Sequence, residues 1–132
     1  MVFQLAYGLE TVVLRVFNVY GSRQGFCEYG DVIAQFVRRL LVGEPPVVYD
    51  DGMQTRDFVY VDDVVEAVLM SLINSDVGGG VFNIRSGKPT AINEFLELLL
   101  QITEREVDPI YSEQRLGDIR HTYADLGKAR AP

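Results

Sequence analysis

Asp50-Asp51-Gly52-Met53-Gln54-Thr55-Arg56-Asp57-Phe58-Val59-Tyr60-Val61-Asp62-Asp63 is the densest run of special residues in the chain, and three kinds of local structure follow one another inside it. Asp50-Asp51-Gly52 supplies backbone that tolerates the left-handed region, so the run begins as a turn. Its second part alternates as a strand, with Phe58 and Tyr60 giving β propensity. Asp62 or Asp63 then caps a helix whose apolar positions are Val64, Val65, Ala67, Val68, Leu69, Leu72 and Ile73. Arg56 therefore stands where a loop becomes a strand, a rigid support for a ligand-facing cation; a solvated arginine on a surface turn is the plainer alternative.

Upstream, Pro45-Pro46 break the chain before the short apolar run Val47-Val48-Tyr49. From Asp31 to Leu41 the residues Val32, Ile33, Phe36, Val37, Leu40 and Leu41 recur at helical spacing, with Asp31 as N-cap and Gly43 as stop. Asn18 to Gly30 reads as loop, and Thr11 to Phe17 as a strand buried on both faces of a parallel sheet, because its hydrophobicity is nearly continuous. Met1 to Glu10 looks like the end of a helix stopped by Gly8. Downstream, Gly78-Gly79-Gly80 is a turn, Val81 to Ile84 a short strand and Arg85 to Pro89 a loop. Thr90 caps a helix through Ile102, Pro109-Ile110-Tyr111 is extended, and a helical turn is expected after Asp125. Strands and helices alternate, so the class is α/β.

The length of 132 residues suits one domain, and 48% hydrophobic with 23% charged residues is ordinary for a soluble globular protein. A net charge of −7, from 19 acids and 12 bases, disfavours binding to nucleic acid or to an anionic membrane surface. Cys27 is the single cysteine and His121 the single histidine, which excludes an internal disulfide framework and a cluster of soft or imidazole metal ligands. The first residues lack the pattern of a signal peptide, and no apolar run approaches the roughly 20 residues that span a bilayer. A soluble, cytoplasmic protein is expected.

Several familiar sites can be set aside. Six residues separate Gly80 from Gly87-Lys88, and Pro89 follows, whereas a phosphate loop has four and then Ser or Thr. The triple glycine precedes a strand, when a dinucleotide fingerprint follows one. His121 has no Gly-x-Ser-x-Gly partner, and the paired aspartates are explained by turns and caps. What remains are Arg23, Arg56, Arg85 and Arg115 on loops, near Asn18, Gln54 and Ser86. Planar guanidinium groups suit bidentate contact with phosphate oxygens, so an anionic small ligand such as a diphosphate fits.

Taken together, the loop strings resemble one family, the extended short-chain dehydrogenases/reductases that act on nucleotide sugars, including UDP-glucose 4-epimerase and sugar 4,6-dehydratases. Leu14 to Gly21 resembles LRxFNVYG, and Gly43 through Asp63 resembles GxPxxxYGDGxQTRDFxYVxDV. Val81 to Gly87 resembles VxNxGSG, and Arg115-Leu116-Gly117-Asp118 resembles RxGD. The resemblance implies that Asn18 contacts the diphosphate or sugar, and that Phe17 lies near the nicotinamide end of the cofactor. Val32 and Ile33 would border the nucleotide, and Val47 to Tyr49 would lie near its base. Arg56 and Arg115 would hold the diphosphate, while Asp118 would hold the ribose or the arginine that grips it. Asp50 stands where glycine is usual, and Asp31 where a small residue is common; both add negative charge.

The family binds NAD(P) through an amino-terminal Gly-x-x-Gly-x-x-Gly and moves protons with a Tyr-x-x-x-Lys pair. Neither is present, since the seven tyrosines are followed four positions later by Thr11, Gln24, Ile33, Met53, Val64, Arg115 and Gly127. Residues 1–132 are thus expected to form a single incomplete domain. It would be the α/β, carboxyl-terminal substrate-binding portion of such an enzyme, with one or two strands of a Rossmann sheet and starting late in the helix that carries Tyr-x-x-x-Lys. Binding of a UDP- or dTDP-sugar without catalysis is the expected function, and NAD(P) is not expected to bind tightly to this chain alone. The alternatives are a non-enzymatic nucleotide-sugar binding or interaction module and an inert remnant. Apolar surface on strand 11–17 would favour self-association or a complementary amino-terminal chain.

Overall fold

A computed structural model describes residues 2–25 and 31–122 together with Gly127 and Ala129. Helix α1 (Val2–Tyr7) ends at Gly8, whose φ of +66° lets its N–H return to the Gln4 carbonyl. Strand β1 (Val13–Val16) pairs in parallel with β6 (Val81–Ile84), register Val13 to Val81. This pair carries the nearly continuous apolar run, but its burial differs from the sequence expectation. Val13 and Val16 are 42% and 40% exposed, because a two-stranded sheet leaves a face uncovered.

The expected loop after β1 contains a second strand, β2 (Val19–Tyr20), parallel to β5 (Val59–Tyr60). Helix α2 (Val32–Leu41) begins after Asp31, which occupies the N-cap position without a side-chain cap hydrogen bond. Strand β3 (Val47–Tyr49) pairs in parallel with β8 (Ile110–Ser112), and β4 (Thr55–Asp57) runs antiparallel to β7 (Pro89–Ala91). Thr90 is thus a strand residue opposite Arg56 rather than a helix cap, and Ala91 precedes α4 (Ile92–Thr103). Tyr60, not an aspartate, occupies the N-cap of α3 (Val61–Ile73); Asp62 and Asp63 lie in its first turn, where their charges favour the helix dipole. A short 3-10 turn at Ser75–Val77 leads to the triple glycine. The helical turn expected after Asp125 lies outside the described residues.

Phe36, Val48, Ile92 and Leu96 form the buried core, with Val32, Phe58, Phe95, Leu99 and Leu100 packed against it. Phe95 stacks on Phe36 at 6.2 Å and meets Phe58 at 5.3 Å, offset geometries suited to aromatic rings. The core therefore sits between α2, α4 and β3. No described helix is long and apolar enough to cross a membrane.

Candidate functional site

The Asp50-Asp51-Gly52 turn joins β3 to β4, between Tyr49 and Gln54, which both line a cleft. Asp50 has a φ of +57° and Gly52 one of +72°. A Cβ at Gly52 would run into the Asn93 side chain, while the Asn93 amide donates from its backbone to the Gly52 carbonyl (3.0 Å) and from Nδ2 to the Asp51 carbonyl (2.9 Å). Asp50 and Asp51 together hold Arg120, at 3.0 and 2.6 Å. One guanidinium from far along the chain thus offsets one of the two negative charges of the turn. It also ties the segment after β8 to β4, where the Thr55 N–H donates to the Arg120 carbonyl.

Strand β4 carries two functional groups in succession. Arg56 Nη1 donates to the carbonyls of Thr55 (2.9 Å) and Ile119 (2.6 Å), and Nη2 pairs with the Asp118 carboxylate. A guanidinium has five N–H donors, so after these three bonds two remain for a ligand. The next residue, Asp57, is fully buried. Its carboxylate accepts from Arg85 Nη1 (2.9 Å), the Ser86 N–H (2.8 Å), the Ser86 hydroxyl (2.8 Å) and the Gly87 N–H (3.0 Å). A buried carboxylate with this many donors fixes β4 against the loop from Arg85 to Gly87. The Asp57 carbonyl accepts from Asn18 Nδ2 at 3.1 Å, and Asn18, at φ +34°, passes its own carbonyl to the Val59 N–H. Arg85, expected as a ligand-facing candidate, is instead spent on this internal bond.

These elements enclose a cleft of about 450 Å³, within the range of small-molecule sites. The structure brings Asn18, Val32, Val47, Tyr49, Arg56, Arg115 and Asp118 to its lining; Ile33 and Phe17 are not among the lining residues. Arg115 lies 3.9 Å above the Tyr49 ring centroid and donates from Nη2 to the Tyr49 hydroxyl at 2.9 Å. Gln35, Gln54, Leu116 and Asp31 also line the cleft and were not singled out as site residues. Helical spacing puts Gln35 and Phe36 on the face that holds Val32, a signal available in the sequence. Burial pushes the Asp31 carboxyl up, against the opposing pull of the Ile33 and Val32 amides, of Arg56 and of the Gln24 side chain.

His121 accepts or donates at Nδ1 to the Thr55 hydroxyl (3.0 Å) and is outside the cleft lining, and Cys27 lies outside the described residues. Among the described residues no group of three His, Cys, Asp or Glu side chains is placed to hold a metal ion. The cleft thus presents an aromatic ring and a cation at Tyr49 and Arg115, a second cation at Arg56 and an amide at Asn18, groups that can hydrogen-bond and pair with anionic oxygens. Phe17, which the resemblance puts near the cofactor, is not among the residues that line this cleft.

Known proteins share both sequence and shape with this chain. Residues 2–84 match the NAD dependent epimerase/dehydratase family. The putative UDP-glucose 4-epimerase of Methanocaldococcus jannaschii is 38% identical over 125 residues, covering 95% of this chain and 40% of its own length. The crystal structure of UDP-glucose 4-epimerase with UDP-glucose from Thermotoga maritima superposes with a TM-score of 0.91 at 41% identity, over 97% of this chain and 41% of that one. The UDP-glucuronic acid 4-epimerase of Bacillus cereus, in complex with UDP-glucuronic acid and NAD, gives a TM-score of 0.86 at 28% identity, over 97% and 40% of the two chains. The chain therefore spans about 40% of the length of these relatives, with the α/β class and the parallel β1–β6 pair as its share of a Rossmann-like sheet. It belongs to the NAD-dependent epimerase/dehydratase family, within the extended short-chain dehydrogenases/reductases.

Proposed function

We propose that this chain is the nucleotide-sugar binding portion of an NAD-dependent sugar epimerase or dehydratase, and that it does not turn substrate over by itself. The observation that carries the reading is the convergence of Arg56, Arg115, Asn18 and Tyr49 on one cleft from four separate stretches of sequence. Arg56 and Arg115 hold the diphosphate. Arg56 is kept in place by Asp118 and by two carbonyls, so little of its freedom is lost when an anion arrives. Tyr49 and Val47 border the base, Val32 and Ile33 the nucleotide, and Asn18 the sugar end. The relatives named above hold UDP-glucose and UDP-glucuronic acid, which supports a UDP- or dTDP-sugar as ligand.

In the intact family NAD supplies the hydride acceptor, and a Tyr-x-x-x-Lys pair exchanges the proton; this chain contributes binding and orientation of the substrate. The uncovered apolar surface of α1, β1 and α3 is the docking face for the NAD-binding portion, and in its absence drives self-association. Residues 1–132 act as a single domain that completes its site only with that portion.

Isothermal titration calorimetry of the purified chain with UDP and UDP-glucose tests the reading. Binding is expected, with Arg56→Ala and Arg115→Ala each weakening it about tenfold or more, as the loss of a charge-assisted contact does. Absence of heat for either ligand in a folded sample would overturn it in favour of an inert remnant. Measurable epimerisation by the chain alone would overturn the claim that it is not catalytic.

A further inference from the structure

We propose that Asp50 is a positioning residue for the cations of the cleft: by holding Arg120 it fixes the segment that presents Arg115 and Asp118 to the site. This role rests on the nucleotide-sugar reading of the cleft and adds to it a residue that is not among the lining ones.

The side chain of Asp50 stands at a backbone cost. Its φ of +57° lies in the left-handed region, where a Cβ is disfavoured, and glycine is usual at this place in the motif that the chain resembles. The Asp50 N–H donates to the Ser112 carbonyl at 2.9 Å, a bond that glycine would make as well. What the carboxylate adds is a hold on Arg120, whose Nη1 donates to Asp50 at 3.0 Å and whose Nη2 donates to Asp51 at 2.6 Å. Two aspartates beside an anion site would otherwise only repel the ligand. Here they share a guanidinium that belongs to the segment carrying Arg115 and Asp118.

Residues 113–119 run between two anchors. At their start β8 pairs with β3, Ser112 opposite Tyr49. At their end the Thr55 N–H donates to the Arg120 carbonyl at 2.9 Å, and Thr55 bridges to His121. In between, Arg115 to Asp118 line the cleft, and of residues 113–119 all but the half-buried Asp118 are exposed. A stretch with so little packing has low local stability, so its anchors decide how well it is ordered. Both cations of the cleft depend on that order. Arg115 lies on the segment and reaches Tyr49 from it, while Arg56 draws two of its three bonds from it, at the Ile119 carbonyl and the Asp118 carboxylate. Arg120 follows Ile119 directly, so releasing its side chain loosens the segment at the point where Arg56 is held. An anion that meets ordered cations binds without the cost of ordering them.

Calorimetry of the full chain with UDP, set beside a titration with uridine, tests the role in Asp50→Gly and Asp50→Asn. Glycine takes a φ of +57° without strain, so the fold is expected to stand. Asparagine tolerates the same region while losing the charge, and carries the test alone should Asp50→Gly not fold. UDP affinity is expected to fall about threefold in Asp50→Gly, the scale of an exposed ion pair, and about twofold in Asp50→Asn, which can still accept a hydrogen bond from Arg120. Uridine has no phosphate for the cations to grip, so its affinity is expected to hold. The sign decides between positioning and bare charge, because removing a negative charge would by itself tighten the binding of an anion. Unchanged or higher UDP affinity in the folded variants overturns the positioning role. So does an equal loss for UDP and uridine, which would mean a general loosening of the turn. In either case UDP binding by the unsubstituted chain upholds the cleft. Failure of UDP to bind the unsubstituted chain overturns the nucleotide-sugar reading, and this role with it.

Discussion

The cleft and the β1–β6 side of the molecule are both built with strongly apolar segments and end in opposite states. Around the cleft, Phe36 and Val48 are each 1% exposed, sealed between α2, β3 and α4. On the other side Leu5, Leu72 and Ile73 are 90%, 75% and 84% exposed, and α3 has no buried residue. The hydrophobic pattern of a segment states its demand for cover; only the surrounding elements decide whether the demand is met. Where α2 and α4 face each other across β3 it is met inside this chain. The faces of α1, β1 and α3 stay largely exposed.

The comparison can be broken most directly by truncating one residue on each side. Phe36→Ala should lower the unfolding free energy by about 3–5 kcal/mol, since it removes a buried ring and leaves a cavity between α2 and α4. Leu72→Ala should change it by less than about 0.5 kcal/mol, because the side chain is mostly solvated already. Urea titrations followed by circular dichroism would measure both. Equal losses would show that α3 is covered in solution, and would make the two regions alike.

Sedimentation sharpens the same contrast. Leu69→Glu with Leu72→Glu places two charges on the exposed face of α3. The unsubstituted chain is expected to associate at micromolar concentrations through this face, and the double variant to shift towards monomer without losing its fold. A chain that is already monodisperse as a monomer would show that the exposed apolar area is too scattered to dock anything.

Much of this division was legible in the sequence, and the parts that were not share a cause. Val81 to Ile84 reads as a strand and is one, because four consecutive strand-forming residues follow a glycine turn. The helices at Val32 and Val61 follow from their apolar spacing. By contrast β2 has only two residues, and it exists because β5 lies beside it from far along the chain. Thr90 has the chemistry of a helix cap, yet pairing with Arg56 keeps it extended. In the site, Arg56, Arg115 and Asp118 carry their meaning in motifs, and the pairing of Asp118 with Arg56 is one of the two roles that the resemblance offered it, but no local pattern reveals that Arg85 would be spent on Asp57. Asp50 taught the same lesson in reverse. The sequence shows only an added negative charge there, and Arg120, far down the chain, is its partner.

That pairing supports a last, smaller prediction about the edge of the cleft. The hydrogen bond from Arg120, with help from the Met53 amide, holds the Asp51 carboxyl below the usual carboxylate range. A carboxyl whose value is depressed by folding binds protons more weakly in the folded chain, so the unfolded chain takes up the proton first as pH falls. Its stabilising contribution is therefore fully present above the ordinary carboxylate value and is lost as pH falls through the depressed one. Asp51→Asn should make the chain slightly less stable at neutral pH, and the difference from the unsubstituted chain should vanish in acid. Both groups are solvent-exposed, so added salt should shrink the neutral-pH difference as well. Denaturation at neutral and acid pH, with and without salt, measures it. A difference that persists unchanged in acid would mean that Asp51 acts through its turn geometry, the Met53 bond and the backbone it shapes, rather than through its charge.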